Sequence, residues 1–154
     1  MATYEHPAFA KASWQGNYFA YGPAHENGVE LLPIEVEFGA DELSAADIHR
    51  AIRLNSDCIV LGAFVDAEDL DSNGTPTLTF DLGYSGDTAS DDDYWLANST
   101  IAQAGGVAES SALPFIPTED YFVQFKVETG AATGAAGKIT LYLRIANGGA
   151  YAGS

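Results

Sequence analysis

The sequence predicts an all-β protein, an antiparallel β-sandwich of jelly-roll type with an extended N-terminal arm, and three observations lead there. Several segments alternate apolar and polar residues with a period of two, as Leu78, Phe80, Leu82 and Tyr84 do against Thr77, Thr79, Asp81 and Gly83. Turn-forming Gly, Pro, Asn and Asp separate these segments at short intervals. No long stretch carries the 3.6-residue period of an amphipathic helix.

Residues 1–32 read as the arm. They contain His6-Pro7, Trp14, Gly16, Tyr18, Phe19, Tyr21, Gly22-Pro23 and Asn27-Gly28, with neither helical nor alternating periodicity. Aromatic side chains on an irregular segment need a surface to bury against, in the same domain or on a neighbour, so Trp14, Tyr18, Phe19 and Tyr21 are candidate partner-binding anchors.

The sandwich domain, 33–147, begins where Ile34, Val36 and Phe38 alternate with Glu35 and Glu37. Asp41 to Leu54 reads two ways: Ser44-Ala-Ala-Asp47 resembles a helix capping box, and Arg50-Ala-Ile-Arg-Leu54 runs as a strand. The favoured reading is a short turn and then a strand. Asn55-Ser-Asp57 turns into Cys58-Ile-Val-Leu-Gly-Ala-Phe-Val65, an apolar run that predicts a central strand covered on both faces. After the strand at Leu78 to Tyr84, Asp91 to Ala108 fits either a helical turn or an irregular strand. Two more strands follow, Tyr121 to Glu128 and Lys138 to Ile145, and residues 148–154 read as a C-terminal tail.

At 154 residues the chain is one domain able to bury a core without staples. An apolar fraction of 47% excludes wholesale disorder despite a net charge of -16, so the charge sits on the surface. From Leu54 to Phe125 there are 13 Asp and Glu and no Lys or Arg. Such a surface repels phosphate backbones and anionic lipid, which argues against nucleic acid or membrane as a partner. The charge serves either solubility or recognition of a basic partner. A lone cysteine, Cys58, lies in an apolar run and reads as a buried, inert thiol. No apolar run reaches bilayer-spanning length and the N-terminus lacks a signal pattern, so synthesis in a cytoplasm is expected.

Asp69-Leu-Asp71-Ser-Asn73-Gly74 matches the first half of a calcium loop, with Asp69, Asp71 and Asn73 as candidate ligands and Asp66, Glu68 and Asp81 as additional ones. The second half departs: Phe80 stands where a bidentate Glu belongs, and Pro76 interrupts the loop. The favoured reading is a tight turn at Asn73-Gly74 with solvating acids, and no cofactor. Asp87 with Asp91-Asp92-Asp93 reads as a solvated loop. His6, His25 and His49 crowd the first third, and Gly83-Tyr-Ser-Gly86 lacks nucleophile-elbow spacing, so a non-enzymatic protein is expected. Trp14, Trp95 and Tyr94 would make a sugar-stacking platform if they met on the surface.

Leu61-Gly62, Asp69-Leu-Asp-Ser-Asn-Gly-Thr-Pro76, Phe80-Asp-Leu-Gly83, Gly86-Asp87 and Thr140-Leu-Tyr-Leu-Arg144 together resemble the small β-rich virion structural proteins of tailed bacteriophages, over about residues 45 to 146. The resemblance implies a capsid decoration, or cement, protein on the outer shell that bridges major capsid protein subunits, as a homo-oligomer of trimer type, made in the host cytoplasm. Under it, Arg50 and Arg53 join the aromatic anchors as partner-binding residues, and Lys126 and Arg144 are further candidates for the rarer charged contacts. The alternative is a receptor- or glycan-binding module of a tail or head fibre.

Overall fold

The computed structural model describes residues 1–5 and 29–147. Nine strands are found among them: β1 (Thr3–Glu5), β2 (Val29–Phe38), β3 (Ile48–Leu54), β4 (Cys58–Ala67), β5 (Thr79–Gly86), β6 (Ser90–Ser99), β7 (Gly106–Glu109), β8 (Tyr121–Thr129) and β9 (Gly137–Asn147). A single 3-10 turn, Ile101–Gln103, separates β6 from β7. One sheet has the order β1-β3-β8-β5-β6 and the other β2-β9-β4-β7. All pairings are antiparallel except β1 with β3. The fold is therefore the expected β-sandwich, and each alternating segment forms a strand.

The apolar sides of the two sheets meet in one core. From one sheet come Ile34, Val36 and Phe38 of β2, Val65 of β4 and Leu141 and Leu143 of β9; from the other come Ile52, Leu82, Val123 and Phe125. Alternation along β2 and β9 follows from the strand pleat, which sends Glu35 and Glu37 to solvent. Pro33 is tolerated because β2 lies at a sheet edge, where its missing N–H breaks no ladder bond.

Four features differ from the sequence reading, each for a local reason. The Cys58 strand is not covered on both faces. A register shift between Val60 and Gly62 inserts Leu61 as an extra residue, so the buried set moves from Cys58 and Val60 to Ala63, Val65 and Ala67. The continuous apolar run thus encodes a change of phase, and Ile59, Leu61 and Phe64 lie half-buried on the outer face. Conversely, β5 is covered on both faces at its centre, where Asp81 and Gly83 are buried beside Phe80 and Leu82.

The cover over β5 is β6, a strand where the sequence left helix or irregular strand open. Leu82 pairs with Leu96 and Tyr84 with Asp91, which leaves 92–95 arched opposite Gly83. A Cβ on Gly83 would overlap the Asp91 and Asp92 main chain, so glycine is what lets the arch close. The segment 1–32 also holds two strand portions. Thr3–Glu5 pairs with β3, and β2 starts at Val29. Buried Asp47 secures the start of the chain, accepting the Ala2 N–H at 2.8 Å and the Ser44 N–H at 3.2 Å.

Candidate functional site

Asp71 is the most heavily engaged polar side chain in the acidic loop. It is 1% exposed. Its Oδ2 accepts backbone N–H bonds from Thr77 at 2.8 Å, Leu78 at 3.1 Å and Ala132 at 2.9 Å, and its Oδ1 accepts one from Thr133 at 2.9 Å. Burial alone would raise its pKa, but the four donors outweigh that effect and hold the carboxyl well below the usual carboxylate range. Asp69 Oδ1 accepts the Asp71 N–H, and Asn73 accepts from Thr75 N–H while donating to Thr133 Oγ1. The three candidate calcium ligands are thus turned toward main-chain and hydroxyl groups that fasten the 69–78 loop to the 130–135 loop. N–H dipoles aimed at Asp71 satisfy an anion and oppose a cation at the same oxygens. Among the described residues no group of three or more His, Cys, Asp or Glu is placed to hold a metal ion.

The second acidic group lies on β5, β6 and β8. Asp81 accepts the Asn98 N–H at 2.6 Å, and its pKa is raised first by burial, then by the neighbouring Glu128 and Asp93, against the lowering effect of that bond. Burial and the Asp93 carboxyl likewise raise Asp91. Lys126 meets this group, with Nζ 2.6 Å from Glu128 and 3.3 Å from Asp92. Asp91, Asp92 and Asp93 are therefore on β6 and not in the solvated loop the sequence suggested, while Asp87 does lie in the exposed turn between β5 and β6.

Trp95 is 4% exposed and packs edge-on against Tyr94, Tyr84 and Phe115. It is a core residue, so the sugar-stacking platform does not form through it. Trp14, Tyr18, Phe19, Tyr21, His6, His25 and the tail 148–154 lie outside the described residues. Buried His49 stacks on Tyr4, with Nε2 2.8 Å from the Glu42 carbonyl. Burial also pushes the Cys58 thiol up to about 12, with the Glu30 charge adding to the effect.

Arg50 and Arg53 project from β3 on the outer side of its sheet. The Arg50 guanidinium lies 4.1 Å from the Phe122 ring centroid, and Arg53 pairs with Asp120 at 3.0 Å. The other sheet presents a different outer surface. Its cross-strand rows run Leu31, Arg144, Gly62 and then Pro33, Tyr142, Phe64, Glu109. Phe64 and Tyr142 stack with centroids 4.4 Å apart and planes 7° from parallel. Val29, Leu31 and Val107 are 63%, 52% and 73% exposed on the two edge strands. Sequence reasoning missed this surface because its members come from four separate strands. The period-two outward positions of β2, Val29, Leu31 and Pro33, were the available signal.

Rigid sheets, a loop clamp built on one carboxylate and an exposed aromatic-aliphatic face define a structural protein that works through surfaces. The fold is similar to a chain in the capsid of Ralstonia phage GP4, with 30% sequence identity, a TM-score of 0.72, and coverage of 96% of this chain and 99% of that one. It is also similar to a chain in the capsid asymmetric unit of cyanophage Pam1, at 27% identity and a TM-score of 0.66, covering 91% and 98% of the two chains. A chain of the acid-stable capsid of Helicobacter pylori bacteriophage KHP30 shares the fold at 15% identity and a TM-score of 0.52, covering 77% of this chain and 93% of that one. No family model and no curated protein matches. The chain belongs to the bacteriophage virion structural proteins, and its role is that of a capsid component.

Proposed function

We propose that this protein decorates the outer surface of a phage head, where it bridges neighbouring major capsid protein subunits and stiffens the shell without catalysis. The observation that carries this reading is the likeness to phage capsid chains over nearly the whole length of both chains in each comparison. The strand orders β2-β9-β4-β7 and β3-β8-β5-β6 support reading the sandwich as a jelly roll, an architecture used in viral capsids. A stiff sandwich suits a clamp, and a net charge of -16 keeps a crowded particle dispersed. The aromatic residues Trp14, Tyr18, Phe19 and Tyr21 reach the adjacent subunit, and trimers are the unit that a symmetric lattice holds through repeated weak contacts.

The test is co-sedimentation of the purified chain with heads assembled without it, followed by cryo-electron microscopy. The expected result is saturable density at symmetry-related sites on the outer shell, grouped in threes. Replacing Trp14, Tyr18, Phe19 and Tyr21 together by serine is expected to abolish the density and leave the melting temperature unchanged. Density inside the shell, on the tail, or absent altogether would reject the reading.

A further inference from the structure

Among the described residues, the outer face of the β2-β9-β4-β7 sheet carries one cation, Arg144, that no acid pairs with. In a chain with 22 Asp and Glu and only six Lys and Arg, a basic side chain finds a carboxylate easily. Arg53 holds Asp120, Lys126 holds Asp92 and Glu128, and Lys138 holds Glu35. The Arg50 guanidinium rests on the Phe122 ring. Arg144 is exposed and forms no ion pair among the described residues. Glu109 lines the same groove, of about 450 Å³ with Phe64, Val107 and Ala108, without pairing with it.

Its surroundings are apolar. Leu31 lies beside Arg144 on one side and Gly62 on the other, where the missing side chain leaves the guanidinium uncovered. The stacked Phe64–Tyr142 pair and exposed Val107 extend this apolar half of the face, and Glu35, Glu37, Asp66 and Lys138 make its other half charged. An unpaired arginine among aromatic and aliphatic groups is the composition of an interface centre, where Arg and aromatic residues are enriched and contribute most to binding. Strands of 10, 11, 10 and 4 residues, rising about 3.4 Å per residue and lying about 4.8 Å apart, give a face of roughly 570 Å², the greater part of the roughly 800 Å² per partner of a stable interface.

We propose that this face seats the protein on the capsid shell, with Arg144 taking a carboxylate that the shell protein presents within an apolar patch. The inference rests on the decoration reading above. A two-fold partner copy of this chain fits the face less well, because pairing the same surface with itself would bring Arg144 toward its own symmetry mate.

The experiment measures binding of the full chain to heads assembled without it, for the unaltered protein and for Arg144→Glu, Val107→Asp and Ser90→Glu. The last alters β6, the edge strand of the opposite sheet. All four are expected to melt alike, because the substituted side chains are exposed. Loss of at least about 30-fold in affinity for R144E and V107D, with S90E within about threefold, supports the proposal. R144E and V107D binding within threefold of the unaltered protein overturns it and leaves decoration standing. Failure of the unaltered protein to bind heads overturns the decoration reading and this seating together.

Discussion

The two acidic regions look alike in sequence, Asp69-Leu-Asp71-Ser-Asn73 and Asp91-Asp92-Asp93, and do opposite things in the fold. At Asp71 four backbone N–H groups converge on one carboxylate and hold it ionised. On β5 and β6, buried Asp81 and half-buried Asp91 sit beside other carboxyl groups, and their protonation becomes easier. The contrast teaches that density of acids says little about role. What decides it is whether the surrounding main chain offers donors or the surrounding side chains offer more acids.

The largest expected effect comes from breaking the first region. Asp71→Asn keeps the shape but turns an amide NH₂ toward backbone donors and removes the charge they solvate. Hydrogen bonds to a charged group are each worth about 1.5–3 kcal/mol, so the loss should reach about 3 kcal/mol or more in a denaturant titration at pH 7. The folded-state pKa of Asp71 lies below its unfolded value, so its contribution is complete above the unfolded pKa near about 4 and fades as pH falls toward the folded value. The gap between the unaltered protein and D71N should therefore narrow when the titration is repeated at pH 3.

Gly83→Ala comes next and breaks the second region through its backbone. The new methyl would overlap the Asp91 and Asp92 main chain, at a cost of about 2 kcal/mol, and detachment of β6 would show as faster amide exchange there.

Asp81→Asn sharpens the comparison by reversing its sign. The oxygen that accepts the Asn98 N–H is kept while the charge beside Glu128 is lost. A raised folded-state pKa gives stability that is present below the unfolded value and is lost as pH rises through the folded one. D81N should thus raise the thermal midpoint at pH 7, and the gain should vanish near pH 4. A lower midpoint at pH 7 would contradict the account. The smallest effect belongs to Ala46→Gly in the turn that leads to Asp47. Ala46 sits at φ 70°, where a Cβ is strained, and relief should add about 0.5 kcal/mol in the same titration.

Strands with one buried face were legible from sequence because period-two alternation is a direct image of the pleat, as at Ile34, Val36 and Phe38 or at Ile139, Leu141, Leu143 and Ile145. The strand β6 was hidden because three consecutive aspartates and Asn98 are poor strand formers, and their placement depends on the space over Gly83. The strand β1, at three residues, is too short to show a period. For the site, Asn73-Gly74 announced a turn. The role of Asp71 was not readable, since its donors Ala132 and Thr133 are 61 and 62 residues away. Arg144 was legible in sequence as one of four basic residues for charged contacts, but that no carboxylate pairs with it among the described residues is a property of space.

The position of Cys58 has a practical consequence. The residue is 3% exposed on the inner side of β4, and burial pushes its thiol up to about 12. A thiol reagent near neutral pH therefore meets neither an accessible atom nor a thiolate until the sandwich opens. With a single cysteine in the chain, the labelling rate counts opening events directly, and the same count taken on free protein and on assembled particles measures how far the capsid holds each sandwich shut.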